Sequence, residues 1–590
     1  MSTDPMTGHP VPIRLPAFLC LSLASSLLAD VTIPGVFGSN MVLQRDQLIP
    51  VWGWGEPGEV VTISFGGQKA QTTTRGDRTW ETTLPPMPAS NHGRIMTIEG
   101  TNRIELSDVL VGEVWLCSGQ SNMEWRISQS MNASGEAAAA NYPQIRLFDV
   151  PGRHVSPRPR RKLPGGSWNR CKPETANNFS AVAYHFGRRL HKHLKVPIGL
   201  IGSNWGGTKI EPWTTLGGFK SVAELSSFAE RVEAYTGATK VGGSDPAAIY
   251  HAMVHPLTPF AIRGAIWYQG ESNGAEGRSY YHKKHALVNG WRRAFRNDQL
   301  AFYWVQLANF QQPNPDPSGG DGWARIREAQ AQALDLPNTG MAVITDIGAA
   351  NDIHPRNKQD VGKRLAQWAL HQTYGEKDLV PSGPIYKGHK VEGHKVRIYF
   401  DHVGSGLMAG RKEGLAPVEK ATDPRLNHFA VADREMNWHW AEATIDGETV
   451  LVFAEQVPRP VAVRYAFAMN PAGANLYNRE GLPASPFRTD TWRGPSEELQ
   501  WHPLSEGTPP SSIPGAGTEI SLTNKRKEPV HLYWMAYGGG AKRYATIEPG
   551  ATHTQTTFSK AYWLITDTSE SPLGFFKTTG KIGIAVIPEK

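Results

Sequence analysis

Residues 109–117 read VLVGEVWLC and run directly into Ser118-Gly119-Gln120-Ser121-Asn122. So continuous an apolar run marks a strand covered on both faces; a sheet with one wet face would alternate instead. Four further runs of this kind follow, at 196–203, 264–268, 302–307 and 340–345. Helical spacing lies between and after them. In 180–195, Val182, Phe186, Leu190 and Leu194 step by four, and similar stretches cover 279–295, 323–334 and 357–374. A polar helical insertion occupies roughly 216–250. Strands alternating with helices predict an α/β fold, a doubly wound parallel sheet, over residues 108–375.

The flanks read differently. Residues 30–107 hold short β-branched runs divided by GWGEPGE and GGQ, as in a β-sandwich-like domain. Strand signals return in 376–494, a β-rich accessory domain, at 395–400, 428–432, 449–453 and 461–467. Residues 495–517, with Pro509-Pro510-Ser511-Ser512, read as a linker, and 518–590 as a small all-β module. A chain of 590 residues suits this division, since a domain takes roughly 100–200.

Residues 15–29, LPAFLCLSLASSLLA, are too short for a bilayer span of about 20 but fit a secretory core ending at Ala29. Residues 1–29 are therefore expected to be a signal peptide, and the protein secreted or periplasmic; no other stretch is long and apolar enough to span a membrane. The net charge of +7 is spread thinly, and its densest patches, 158–162 and 525–527, read as solvated surface, so nucleic acid is not implied. Three cysteines exclude a disulfide scaffold. Cys20 lies in the leader, and Cys117 reads as a buried strand residue. His251 and His255 have metal-like spacing, but Ala252 stands where a zinc protease motif needs Glu, so no metal is expected. The 19 tryptophans suit core packing or stacking on sugars.

Open parallel sheets bind ligands beyond the carboxyl ends of their strands. Four such ends carry polar groups: Gln120-Ser121-Asn122; Asn204-Trp205-Gly206-Gly207-Thr208; Gln269-Gly270-Glu271-Ser272-Asn273; and Asn351-Asp352-Ile353-His354. This set suits acyl transfer. Ser121 needs a base, which His354 supplies. The base needs a carboxylate, and both Asp352 and Glu271 qualify. Backbone N–H groups of Ser121 and Gly207 and the side-chain amide of Gln269 are candidate oxyanion donors. Singly, the Ser reads as a helix cap and the glycine pair as a turn.

The block from Gly112 to Glu124 resembles the nucleophile block of sialate O-acetylesterases, in the SGNH/GDSL hydrolase superfamily. Trp267-Tyr268-Gln269-Gly270-Glu271-Ser272-Asn273 resembles the family's third block, and Asp352-Ile353-His354-Pro355-Arg356-Asn357-Lys358 its histidine block. The resemblance runs from about Ile33 to Trp492. It implies an SGNH-type sheet, a Ser121/His354 pair, no cofactor and an acetylated glycan substrate: sialic acid, or xylan or another polysaccharide. The wider superfamily places Asp three residues before the His; here that position is Asn351, and Asp352 and Glu271 both stay open. A glycan-binding protein with a degenerate centre is the non-enzyme alternative.

Residues around Val530-His531-Leu532-Tyr533-Trp534, 544–550 and 562–567 resemble a von Hippel–Lindau β domain, which binds hydroxyproline peptides. The matching positions are Trp534, Tyr544, Thr557 and Trp563, with Ala561 where that pocket has a His. A protein or glycan ligand is expected at Trp534, Tyr544 and Trp563.

Overall fold

The computed structural model describes Met1 and residues 30–274, 276–492, 496–515 and 517–589. The expected signal peptide and Cys20 lie outside the described residues. Thirteen strands precede residue 343: β1 Val42–Gln44, β2 Ile49–Trp54, β3 Val60–Phe65, β4 Gln68–Thr73, β5 Thr79–Leu84, β6 Ser90–Glu99, β7 Arg103–Gly119, β8 Tyr142–Asp149, β9 Trp168–Cys171, β10 Ile198–Asn204, β11 Gly264–Tyr268, β12 Ala301–Val305 and β13 Thr339–Ala342. The helices that matter here are α1 Ser121–Glu124, α2 Ala181–Leu194, α3 Arg278–Ala294, α4 Ala324–Gln332 and α5 Lys358–Trp368.

The molecule is mixed α/β. Its central sheet has the order β13-β12-β11-β7-β10-β8-β9. Every pair from β13 to β8 is parallel, and β9 closes the edge antiparallel. Strand β7 organises the whole. Its first half alternates in burial and pairs antiparallel with β6. Its second half is buried on both faces and runs parallel between β10 and β11. The division expected between residues 107 and 108 thus falls inside one strand. Mid-strand, the buried carboxylate of Glu113 is satisfied by Arg45 at 2.5 Å and Arg263 at 2.8 Å, as a buried charge requires.

Helices cover both faces. On one, Phe186 of α2 meets Trp115 edge-on at 5.0 Å, and Trp368 of α5 donates to the Met341 carbonyl. Close crossing of α2 and α5 needs Gly362, because a Cβ there would press on Phe186 N and the Val182 carbonyl. On the other face, Trp291 of α3 meets Trp267 at 5.8 Å, and Trp304 donates to the Gln330 carbonyl of α4. Trp115, Trp267, Trp291 and Trp304 are fully buried, so these tryptophans are core. At ~25 cal/mol per Å² and roughly 200 Å² each, such a side chain contributes at most about 5 kcal/mol. Helix α2 starts at Ser180, whose Oγ caps the Ala183 N–H, and carries Lys192 in its last turn, where a cation is favoured.

Residues 385–488 form several antiparallel sheets with their own core, including Val396, Ile398, Phe429, Val431, Val450 and Val463. This region is fastened to the central sheet. The buried guanidinium of Arg327 donates to the carbonyls of Leu307, Ala308, Ala468 and Met469. The loop 311–322 is drawn against it too: Gly320 N donates to Phe467 O and Arg464 to Ser318 O.

The C-terminal part is two packed sheets over a core that includes Leu532, Trp563, Ile565 and Phe576. Here the expected linker, 495–517, is corrected. Ser496–Glu498 pairs parallel with residues 582–584, and His502 pairs with Phe575. Leu499 and Trp501 pack on the core, and Ser512 Oγ accepts from Tyr562 N. Pro and Ser suit edge strands as well as free linkers, and two apolar anchors decide the matter. Cys117 and Cys171 are buried free thiols, so they form no disulfide. Among the described residues no helix is long and apolar enough to cross a membrane.

Candidate active site

The register of the central sheet puts three motifs on one rung. Gly119 at the end of β7 pairs with both Asn204 of β10 and Tyr268 of β11. The chain after each leaves the sheet at the same edge. Gly119 has φ +142°, and a side chain there would collide with the Tyr268 carbonyl, so only glycine lets β7 turn this closely past β11. Gln120 N then donates to Tyr268 O at 3.0 Å, and Ser121 opens the single turn of α1.

His354 reaches this point from the loop between β13 and α5. Its Nε2 stands 2.9 Å from Ser121 Oγ. Its Nδ1 lies 3.4 Å from Asp352 Oδ1, and that oxygen also accepts the His354 N–H at 2.9 Å, fixing the loop. Trp125 lies flat on the imidazole, with centroids 4.6 Å apart and planes 18° from parallel. Burial lowers the His354 pKa first, and the Lys358 ammonium lowers it further; Asp352 opposes both. The ring is therefore neutral at neutral pH and free to accept a proton.

Glu271 is placed otherwise. Its Oε1 accepts from Asn122 Nδ2 at 2.6 Å, and the same Nδ2 also reaches the Ile353 carbonyl at 3.1 Å. Asn122 Oδ1 takes a bond from the fully buried Lys358 Nζ. Burial pushes Lys358 down to about 7 and pushes the Glu271 carboxyl up. Glu271 is thus bonded to Asn122 and not to His354, and of the two candidate acids only Asp352 meets the ring.

Gly206 lies against the serine, and Gly207 follows it in the turn. A Cβ on Gly206 would come within 3.2 Å of Ser121 Cβ, and Gly207 has φ +78°. The turn is pinned by Glu124, which accepts from Gly206 N at 2.8 Å and pairs with Arg153 at 2.8 Å. Among the described residues no partner occupies the N–H groups of Ser121 and Gly207. Gln269 does not join them. Its Nε2 donates to Asn273 Oδ1 at 2.7 Å and to Thr208 O at 3.2 Å, while Tyr280 donates to its Oε1. Both amide protons are already used, so the expectation of a Gln269 oxyanion donor is corrected.

A cleft of about 440 Å³ opens beside the pair, lined in part by Met131, Asp346, Gly348, Asp352 and His354. The aromatic residues Trp534, Tyr544 and Trp563 border a different cleft. His251 and His255 each bond a carbonyl, those of Ser156 and Arg160. Four contributors carried no expected role: Asn122, Glu124, Trp125 and Lys358. All lie in or beside the two sequence blocks around Ser121 and His354, and that adjacency was the available signal.

Comparison with known proteins follows the same lines. A family model described as carbohydrate esterase, sialic acid-specific acetylesterase, matches residues 111–371. A sialate O-acetylesterase of Rattus norvegicus is 34% identical over 512 residues, covering 76% of this chain and 92% of that protein. The Homo sapiens sialate O-acetylesterase is 30% identical over 489 residues, covering 76% and 90%. A crystal structure of a carbohydrate acetylesterase from Xanthomonas citri superposes with TM-score 0.70 at 39% identity, covering 78% of this chain and all of that one.

Proposed function

The chain belongs to the sialate O-acetylesterase family and is a carboxylic-ester hydrolase, and from that premise we propose that Ser121 and His354 remove O-acetyl groups from glycans, sialic acid among them, through an acyl-enzyme. The observation that carries this is the 2.9 Å approach of His354 Nε2 to Ser121 Oγ. The neutral imidazole takes the Ser121 proton as Oγ attacks the acetyl carbonyl. The tetrahedral oxyanion is held by the Ser121 and Gly207 N–H groups. His354 returns the proton to the departing sugar hydroxyl. Water, deprotonated by the same nitrogen, then frees acetate. Asp352 keeps the proton on Nδ1 and stabilises the imidazolium, as the acid of a triad does. The scheme uses no metal or organic cofactor.

In this reading the sheet is an SGNH-type doubly wound sheet, supported by its parallel order and by helices on both faces. The C-terminal sandwich is read as a von Hippel–Lindau-like module. In support, Trp534, Tyr544, Thr557 and Trp563 gather in one place, with Trp563 Nε1 donating to Thr557 Oγ1 at 2.9 Å. Export is proposed from the leader sequence at 15–29. The test is acetate release from 9-O-acetyl-N-acetylneuraminic acid, acetylxylan and acetylated pectin. Release from the sialic acid ester is expected, fastest of the three. A faster rate on acetylxylan would replace the substrate and keep the chemistry; no release from any would overturn the proposal.

A further inference from the structure

A second cleft, of about 720 Å³, runs between the C-terminal sandwich and the catalytic face of the central domain. This size and a position between domains are those of ligand sites. The sandwich contributes three rings set edge to face. Tyr544 and Trp563 centroids lie 5.2 Å apart at 82°, and Tyr544 and Trp534 6.4 Å apart at 83°. Tyr544 is 43% exposed, so its ring is open to a ligand. Aromatic faces of this kind receive the apolar C–H faces of pyranose rings.

The opposite wall belongs to the active-site loops. Lys209 follows Gly207 by two residues, which keeps their Cα atoms within about 7 Å. Ser272, also on this wall, gives its N–H to Gln120 Oε1 at 3.3 Å, next to Ser121. One wall of the cleft is thus built from the same two loops that carry Gly207 and bond the Gln120 side chain.

Its charges are sorted. Glu211 and Glu276 are both held by Lys283, at 2.8 and 2.6 Å, and Asp245 is held by Arg231. Every carboxylate lining the cleft is thus engaged by a cation. Lys209 and Lys542 are exposed and, among the described residues, make no salt bridge within 4 Å; Lys209 acts on Glu211 through space, and Lys542 Nζ stands 5.6 Å over the Tyr544 ring. With four cations against three carboxylates in its lining, and Lys209 and Lys542 both exposed beside an open aromatic ring, the cleft matches a sugar that carries its own carboxylate.

Resting on the esterase reading, we propose that this cleft is a glycan subsite that binds a carboxylate-bearing sugar of the chain whose acetyl ester lies at Ser121. The C-terminal sandwich then acts in substrate selection, choosing acidic glycans over neutral ones. The test uses the full-length protein carrying Ser121→Ala, so that binding is read without turnover. Calorimetric titration with α2,8-linked trisialic acid and with xylotriose measures the two affinities. The acidic probe is expected to bind more tightly, and more weakly as salt rises. Adding Tyr544→Ala, or Lys209→Met with Lys542→Met, is expected to weaken the acidic probe by about tenfold or more, with circular dichroism unchanged. Equal binding of the two probes, no binding of trisialic acid, or folded variants that bind it as the parent does would each overturn the proposal. Failure of the esterase reading is told apart by acetate release from the wild-type protein, which this titration does not use.

Discussion

Asn122 Nδ2 donates to Glu271 Oε1 at 2.6 Å, and this bond turns Glu271 away from the imidazole. Asn122 also carries the Lys358 ammonium and the Ile353 carbonyl. It is the joint between the turn that bears Ser121 and the loop that bears His354. Two residues that the sequence left open, with proximity leaning to Asp352, thereby separate, Asp352 beside the ring and Glu271 onto Asn122.

Replacing each acid by its amide measures that separation. Asp352→Asn favours the wrong imidazole tautomer and is expected to lower kcat by about 10²-fold or more. Glu271→Gln keeps an acceptor for Asn122 and is expected to cost less than about tenfold. Steady-state kinetics on p-nitrophenyl acetate decides the order, and a larger loss for Glu271→Gln would reverse the assignment.

The pH profile follows from burial of His354 and from Lys358, which together hold its pKa below the ordinary value of about 6.5. As the base must be neutral, kcat/KM rises with pH through this pKa, and the acid limb is expected below 6.5. Lys358→Met removes a positive neighbour, so the limb moves to higher pH. Asp352→Asn removes a negative one, so it moves to lower pH. A limb that stays in place in both variants would separate the titration from His354.

Truncation should depend on where the chain is cut. Ending at Trp492 removes the whole C-terminal sandwich, and among the described residues none beyond Trp492 bonds Ser121 or His354. Turnover of p-nitrophenyl acetate is expected to change little. Ending near Ser512 instead strands Ser496–Glu498 without its partner and exposes Leu499 and Trp501. That chain is expected to aggregate. Light scattering and esterase assays on both chains check this, and a monodisperse chain ending at Ser512 would contradict it.

The thiols give a stability check. Burial raises both, Cys171 to about 12 and Cys117 well above its ordinary range. Neither is expected to react with a thiol reagent at pH 8 until the protein is unfolded, and a reductant is expected to leave Tm unchanged. A fall in Tm on reduction would reveal a disulfide between them.

The parallel sheet was legible because residues buried on both faces must be apolar, as 264–268 and 302–305 are throughout and 109–117 is apart from the arginine-paired Glu113. Ser121 and His354 were legible because polar residues cluster where such strands end. The rest depends on contacts between distant segments. Gln269 carries a suitable amide, but whether Thr208 and Asn273 already hold its protons is a property of the fold. Asp352 and Glu271 differ in register and burial, not in residue type. The start of β7 hid the domain junction, since its alternating pattern passes into the continuous run without a turn signal. The stretch 495–517 looked free because Pro and Ser outnumber Leu499 and Trp501, which hold it down.

The central claim is that Ser121 carries the acetyl group between two half-reactions. Rapid quenching during turnover of p-nitrophenyl acetate, followed by peptide mapping in a mass spectrometer, tests it directly. An acetyl adduct is expected on the peptide containing Ser121 in the wild-type protein. In Ser121→Ala it should be absent, with kcat lower by about 10³-fold or more. Turnover in that variant close to the wild-type rate, or an adduct on another residue, would contradict the account.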